Sequence, residues 1–110
     1  MADLYLADKA AYDAALEATK DGGKPLLIDF TASWCPPCQR IAPIFERLAG
    51  ENADSVILKK VDVDANSEAA QAAGIQCMPT FKVFKNGAES EKMEGASEQG
   101  LNDLISRAKQ

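Results

Sequence analysis

Two cysteines, Cys35 and Cys38, stand between a predicted strand and a predicted helix, and this arrangement limits the possible folds more than any other feature. The strand is the apolar run at residues 26–31, and the helix continues over residues 39–50. Cysteines separated by two residues can close a small disulfide ring, and beside a βαβ pattern such a pair indicates redox chemistry. The sequence therefore predicts an α/β domain with a redox-active pair at a strand-to-helix turn.

The start of a helix is a suitable place for a reactive cysteine. Its free backbone N–H groups and the positive end of its dipole favour a thiolate, which is the species that attacks a disulfide. We expect Cys35 at the N-cap with an exposed sulfur, and Cys38 one turn further on and shielded from solvent. Proline is compatible with a first helical turn. Pro36 and Pro37 carry no N–H group, however, so we expect them to weaken the stabilisation of the Cys35 thiolate.

Length and composition exclude several other functions. The 110 residues predict one domain over residues 1–110, and the absence of histidine excludes Cys-His proteases and imidazole bases. Three cysteines are too few for a four-thiolate zinc site, so we expect no metal. A net charge of −5 disfavours nucleic acid and anionic membranes as partners. Residues 1–4 lack the features of a signal peptide, which predicts a cytoplasmic location.

Strands and helices alternate along the chain until a final hairpin, and this order predicts a mixed sheet covered by helices. In chain order, the pattern predicts a short edge strand at 3–6, a helix from the N-cap Asp8 to about Lys20, a covered strand at 26–31, the helix that reaches Gly50, a strand at 55–64, a helix at 66–73 closed by Gly74, a hairpin of 80–85 with 88–94 that turns at Asn86-Gly87, and a last helix capped by Ser97.

Two charged residues within the predicted strands have alternative interpretations. If both faces of its strand are covered, Asp29 is buried behind the cysteines, where loss of water raises its pKa and suits it to proton transfer. The alternative is an ordinary carboxylate on a solvated face. Lys60 either ends in solvent, as we expect for Lys59, or reaches toward Asp29.

Over nearly its whole length the chain resembles the thioredoxin family. The matching segments are Ile28-Asp29-Phe30, Ala32-Ser33-Trp34-Cys35, Pro43, Val61-Asp62-Val63-Asp64, Met78-Pro79-Thr80-Phe81, Phe84-Lys85-Asn86-Gly87 and Gly95-Ala96. The Trp-Cys-Pro-Pro-Cys site is similar to that of h-type thioredoxins of plants and algae, and nucleoredoxin and tryparedoxin domains share the pentapeptide. The resemblance implies a thioredoxin fold, with a central mixed five-stranded sheet flanked by four helices.

The resemblance also implies roles for individual residues. Cys35 would attack a target disulfide and Cys38 would resolve the mixed disulfide, while Asp29, acting through water and near Lys60, would take the proton from Cys38. Pro79 would follow a cis peptide bond, and the backbone of Met78 would pair with the substrate. The implied apolar docking surface around Cys35 consists of Trp34, Pro37, Met78, Gly95 and Ala96.

The implied activity is that of a protein-disulfide reductase without a bound cofactor. Thioredoxin reductase would restore the dithiol, and disulfide-containing proteins such as peroxiredoxins would be the targets. An oxidant or isomerase with the same fold is an alternative, because direction depends on the redox potential. A second alternative is a redox-reporting module that docks a partner around Trp34 without turnover.

Cys77 lies outside the Cys-x-x-Cys pair and has two interpretations. A free cysteine is commonly a small buried apolar side chain. Its position two residues before Pro79 would instead place it beside the docking surface, and similar thioredoxins with a cysteine there form intermolecular disulfides. The protein is thus expected to be a monomer, with a Cys77-linked dimer on oxidation as the alternative.

Overall fold

In the computed structural model, which describes residues 3–110, helices cover both faces of a mixed sheet whose strand order is β2-β1-β3-β4. The elements are α1 (Lys9–Glu17), β1 (Leu26–Thr31), α2 (Pro36–Glu51), β2 (Ile57–Asp62), α3 (Ser67–Ala73), β3 (Thr80–Lys85), β4 (Ala88–Glu94) and α4 (Glu98–Ala108). β1 pairs with β2 in parallel, whereas the β1–β3 and β3–β4 pairs are antiparallel. The α/β class and the four helices are confirmed. No helix in this described part is long and apolar enough to cross a membrane.

The central strand β1 is buried along its whole length, as its almost continuous apolar sequence predicts. Successive side chains of a strand point to opposite faces of the sheet. Ile28 and Phe30 pack into a core with Tyr12 of α1, whereas Leu27 packs with residues of α2 and α4. Asp29 follows the period of Leu27 and so lies on the face that α2 and α4 cover.

The predicted fifth strand at residues 3–6 is wrong, since this segment makes only one parallel bridge to the sheet, between Tyr5 and Lys60. Two backbone hydrogen bonds of 2.8 Å hold the bridge: the N–H of Leu6 donates to the Lys60 carbonyl, and the N–H of Lys60 donates to the Leu4 carbonyl. The Asp3 carboxylate accepts the N–H of Tyr5 at 3.0 Å. This bond uses an N–H that takes no part in the bridge, and with one bridge only the segment is not a strand, so the sheet within residues 3–110 has four strands.

Two other elements are shorter than predicted. α1 ends at Glu17 instead of about Lys20, because the N–H groups of Thr19 and Lys20 bond to carbonyls three residues back and tighten the last turn. The Thr19 hydroxyl then accepts the N–H of Gly87 at 2.7 Å, which ties the end of α1 to the hairpin. β2 ends at Asp62 because its carboxylate accepts the N–H groups two and three residues further on, at 2.9 and 3.0 Å.

Local signals at the other ends are confirmed. The side chains of Asp8, Asn66 and Ser97 accept backbone N–H groups at the starts of α1, α3 and α4. Asn86 and Gly87 have φ values of 53° and 82°, as a two-residue hairpin turn with two left-handed positions requires.

Candidate redox-active site

The two motif cysteines are joined by a disulfide at the start of α2. Cys35 is the N-cap, and its sulfur accepts the N–H of Cys38 at 3.3 Å. Pro36 and Pro37 occupy the first two helical positions. Because neither proline has an N–H group, the amide of Cys38 is the first in the helix that can donate to the sulfur of Cys35.

The exposure expected for Cys35 is wrong for this disulfide form. Its exposed fraction is 5%, against 1% for Cys38. The reason is packing, because both cysteines form a small cluster with Ala32, and Met78 lies against it. The predicted order nevertheless holds, since Cys35 is the more accessible of the pair.

Asp29 has no exposed surface, so its interpretation as a solvated carboxylate is wrong. Among residues 3–110, neither of its carboxylate oxygens has a hydrogen-bond partner. Burial raises the pKa of Asp29 from 3.8 to about 7, because the charged form loses water, while the positive charge of Lys60 acts in the opposite direction. A carboxyl group with this pKa can exchange a proton at neutral pH.

Lys60 is buried, so the interpretation that its side chain ends in solvent is wrong. Its ammonium also makes no hydrogen bond to Asp29. The two residues are aligned across the β1–β2 pair. The Lys60 ammonium instead lies 3.5 Å from the Glu46 carboxylate and 4.8 Å from the centre of the Tyr5 ring. Lys60 therefore acts on Asp29 through its charge and not through a hydrogen bond.

Trp34 is the most exposed large apolar side chain of the described part, with an exposed fraction of 63%. Its indole N–H donates to the Asp64 carboxylate at 2.8 Å, which fixes one edge of the ring. Asp64 was not predicted as a site residue. Its only sequence signal is membership of the Val61-Asp62-Val63-Asp64 segment, which lies 30 residues from Trp34.

The other predicted docking residues come from two loops that meet. The peptide bond between Met78 and Pro79 is cis. The N–H of Gly95 donates to the Pro79 carbonyl at 2.9 Å, which joins the loop before β3 to the loop after β4. Gly95 and Ala96 are exposed, and Met78 packs against the cysteine cluster. The structure thus brings these residues to one side of the disulfide.

Cys77 is an exposed free thiol, so its interpretation as a buried apolar side chain is wrong. Its sulfur lies 3.7 Å from the Thr80 hydroxyl, which donates to the Cys77 carbonyl at 2.7 Å. The thiol immediately precedes Met78, on the same loop as the predicted docking residues.

Gln39 is a second site residue that was not predicted from the sequence. Its side-chain amide donates to the Ala32 carbonyl at 3.0 Å, and the N–H of Cys35 donates to the same oxygen at 3.3 Å. These two bonds hold the turn that carries Trp34 and Cys35 against the first turn of α2.

A Cys-x-x-Cys disulfide at the N-cap of a helix, with a buried carboxyl beneath that helix and an exposed tryptophan beside it, defines a thiol–disulfide oxidoreductase. The Thioredoxin family model matches residues 4–107, and the chain belongs to the thioredoxin family. The predicted resemblance and fold are thereby confirmed, apart from the fifth strand.

Individual relatives are similar over most of their length. The chain is 53% identical to a thioredoxin of Geodia cydonium, over 96% of this chain and 97% of that one. It is 47% identical to an H-type thioredoxin of Chlamydomonas reinhardtii, over 94% of this chain and 92% of that one. The crystal structure of Fasciola hepatica thioredoxin has a TM-score of 0.88 and 41% identity, over 96% and 98% of the two chains. This protein is a protein-disulfide reductase of the thioredoxin type.

Proposed function

We propose that the protein reduces target disulfides with Cys35 as the nucleophile, Cys38 as the resolving thiol and Asp29 as the proton acceptor. The observation that carries this assignment is the order of burial at the start of α2. Cys35 is the N-cap and the more accessible residue of the pair, Cys38 is nearly inaccessible, and Asp29 is fully buried on the face that α2 covers.

The proposed reaction has two exchange steps. The Cys35 thiolate attacks one sulfur of the target disulfide, so that a Cys35–target disulfide forms, the target S–S bond breaks, and the other target sulfur leaves as a thiolate that takes up a proton from solvent. Cys38 then gives its proton to Asp29 and attacks the sulfur of Cys35. The target loses its link and leaves as a second thiolate, which takes up a proton. The target gains two electrons, and the Cys35–Cys38 disulfide forms.

The proposed docking surface takes the target beside this disulfide. Trp34 offers a large exposed face, and Met78 packs against the cysteines. The backbone of Met78 would pair with an extended segment of the target. The whole proposed surface consists of Trp34, Pro37, Met78, Pro79, Gly95 and Ala96.

We further propose that residues 1–110 form one thioredoxin domain that works as a cytoplasmic monomer without a bound cofactor. Residues 1 and 2 lie outside the described residues. Thioredoxin reductase would return the disulfide to the dithiol. Peroxiredoxins are proposed targets, and a related solved structure supports this choice. That structure has 27% identity and a TM-score of 0.85, and it concerns thiol resolution in a yeast mitochondrial 1-Cys peroxiredoxin via glutathione/thioredoxin systems.

Insulin reduction with thioredoxin reductase and NADPH tests this function. We expect continuous consumption of NADPH and precipitation of the insulin B chain, both abolished by Cys35→Ser and retained by the matched control Cys77→Ser. A module that only docks partners would give no turnover. Measurement of the Cys35–Cys38 potential tests the direction, and a potential well above that of the cytosolic glutathione pool would favour an oxidant.

A further inference from the structure

Lys60 is a buried lysine of β2 whose ammonium contacts residues outside the sheet. Its side chain is 6% exposed, yet its ammonium lies 3.5 Å from Glu46, a residue of α2 whose side chain is 45% exposed. The half-exposed ring of Tyr5 covers the ammonium at 4.8 Å. These three side chains line a groove of about 510 Å³ along the outer edge of β2, together with residues such as Ala49 and Leu58.

Lys60 is also the charged residue that is aligned with Asp29 across the β1–β2 pair. β1 aligns Asp29 with Lys60 of β2 on one side and with Phe81 of β3 on the other. Phe81 is apolar, the cysteines at the start of α2 do not titrate while they form a disulfide, and Glu46 of α2 lies against Lys60. Lys60 is also the charged group that alters the proton affinity of Asp29. The Glu46 carboxylate therefore acts on Asp29 chiefly through Lys60, because it determines where the ammonium lies and neutralises part of its charge.

We propose that Glu46 and Tyr5 are positioning residues that hold the Lys60 ammonium at the groove and so limit its stabilisation of the ionised Asp29 carboxylate. This inference rests on the proposed role of Asp29 as proton acceptor. A fully available ammonium would keep Asp29 ionised, and an isolated Asp29 would hold its proton too firmly. Because Lys60 interacts with both Glu46 and Asp29, the proton affinity of Asp29 lies between these two limits.

The groove and the docking surface share no residue. Glu46 and Tyr5 can therefore be changed without altering a residue that is proposed to contact the target. The chain also supplies a matched control for Glu46. Glu51 is another exposed glutamate of α2, and it pairs with Arg47 at 3.1 Å and not with Lys60.

The test is the titration of the Asp29 carboxyl carbon, followed by carbon-13 NMR in the oxidised protein. We expect Glu46→Gln to lower the titration midpoint of Asp29 by about 0.5 pH unit or more. The Lys60 ammonium loses its ion-pair partner in this variant, so it stabilises the ionised Asp29 carboxylate more strongly. Glu51→Gln should leave the midpoint nearly unchanged. Tyr5→Leu should lower the midpoint in the same direction as Glu46→Gln, because it removes the ring that attracts the ammonium.

A lysine-free background separates positioning from a direct effect of charge. Lys60→Met keeps the buried stem without the ammonium, and in this background Glu46→Gln should no longer move the Asp29 midpoint. An equal shift with and without Lys60, or equal shifts for Glu46→Gln and Glu51→Gln, would overturn the inference.

The pH profile of insulin reduction distinguishes this inference from the proposed function. If both the inference and the proposed role of Asp29 hold, the NMR midpoint and the rate profile move together in Glu46→Gln. A midpoint that stays in place while Asp29→Asn still slows reduction would overturn only the positioning role. A midpoint that moves without any change in the rate profile supports the positioning role, and it would instead count against Asp29 as the proton acceptor.

Discussion

Replacement of Asp29 by asparagine tests the cost of the buried carboxylate. The pKa of Asp29 rises from 3.8 to about 7 in the folded protein, because burial removes water from its charged form. Each pH unit of difference corresponds to roughly 1.4 kcal/mol. At pH 8 the ionised carboxylate should therefore lower the free energy of unfolding by about 4 kcal/mol.

The sign of the pH dependence follows from proton binding. Between pH 3.8 and about 7 the folded state binds more protons at Asp29 than the unfolded state does. The contribution of this group to stability is thus fully present below the unfolded pKa, falls as pH rises through that window, and stays low above it. Asp29→Asn cannot ionise, so its stability advantage should be about 4 kcal/mol at pH 8 and under about 1 kcal/mol at pH 4.

Urea denaturation of the oxidised proteins at pH 4, 6 and 8 measures this difference. Asp54→Asn is a matched control, because Asp54 is exposed. Asp29→Asn should also slow insulin reduction, since Cys38 loses its proton acceptor. A variant that is less stable than the parent at pH 8, or whose stability advantage does not grow between pH 4 and 8, would refute the argument from desolvation.

Four further substitutions test other parts of the site. Cys38→Ser should trap targets as mixed disulfides that dithiothreitol releases, whereas Cys35→Ser should trap few, and equal trapping in affinity capture would contradict the assigned roles. Cys77→Ser should abolish a dimer formed after peroxide treatment, as seen on non-reducing gels, and a dimer that persists would exclude Cys77. Asp64→Ala removes the acceptor of the Trp34 indole, so it should raise the KM for insulin several-fold with a smaller change in kcat, and an unchanged KM would show that this bond does not position the docking surface.

Features of the fold that depend on a few neighbouring residues could be predicted from the sequence. The hairpin at Asn86-Gly87 and the N-cap at Ser97 are of this kind, because the residues that fix the backbone are adjacent or within one turn. The end of α1 was misplaced because Thr19 bonds to Gly87, which lies 68 residues away. The fifth strand failed because residues 3–6 meet the sheet only at the pair Tyr5–Lys60, and the extent of such pairing depends on a partner far along the chain.

The candidate site divides in a similar way. The burial of Asp29 followed from the period of a covered strand, and the N-cap position of Cys35 followed from its place before two prolines. The indole bond of Trp34 and the partner of Lys60 depend on contacts between separate elements. The exposure of Cys77 depends on how its loop packs, which the local sequence does not encode.

The place of β1 in the strand order has a consequence for synthesis. β1 is the first strand that a ribosome completes, yet β3, which covers one of its two edges, begins only at Thr80. At roughly 5–20 residues per second, that edge stays open for several seconds. β1 is also apolar enough to be wholly buried in the finished sheet, and an open edge on such a strand can pair with another chain. The nascent protein therefore passes through a period in which its wholly buried strand has an unpaired edge, and that period ends when β3 emerges.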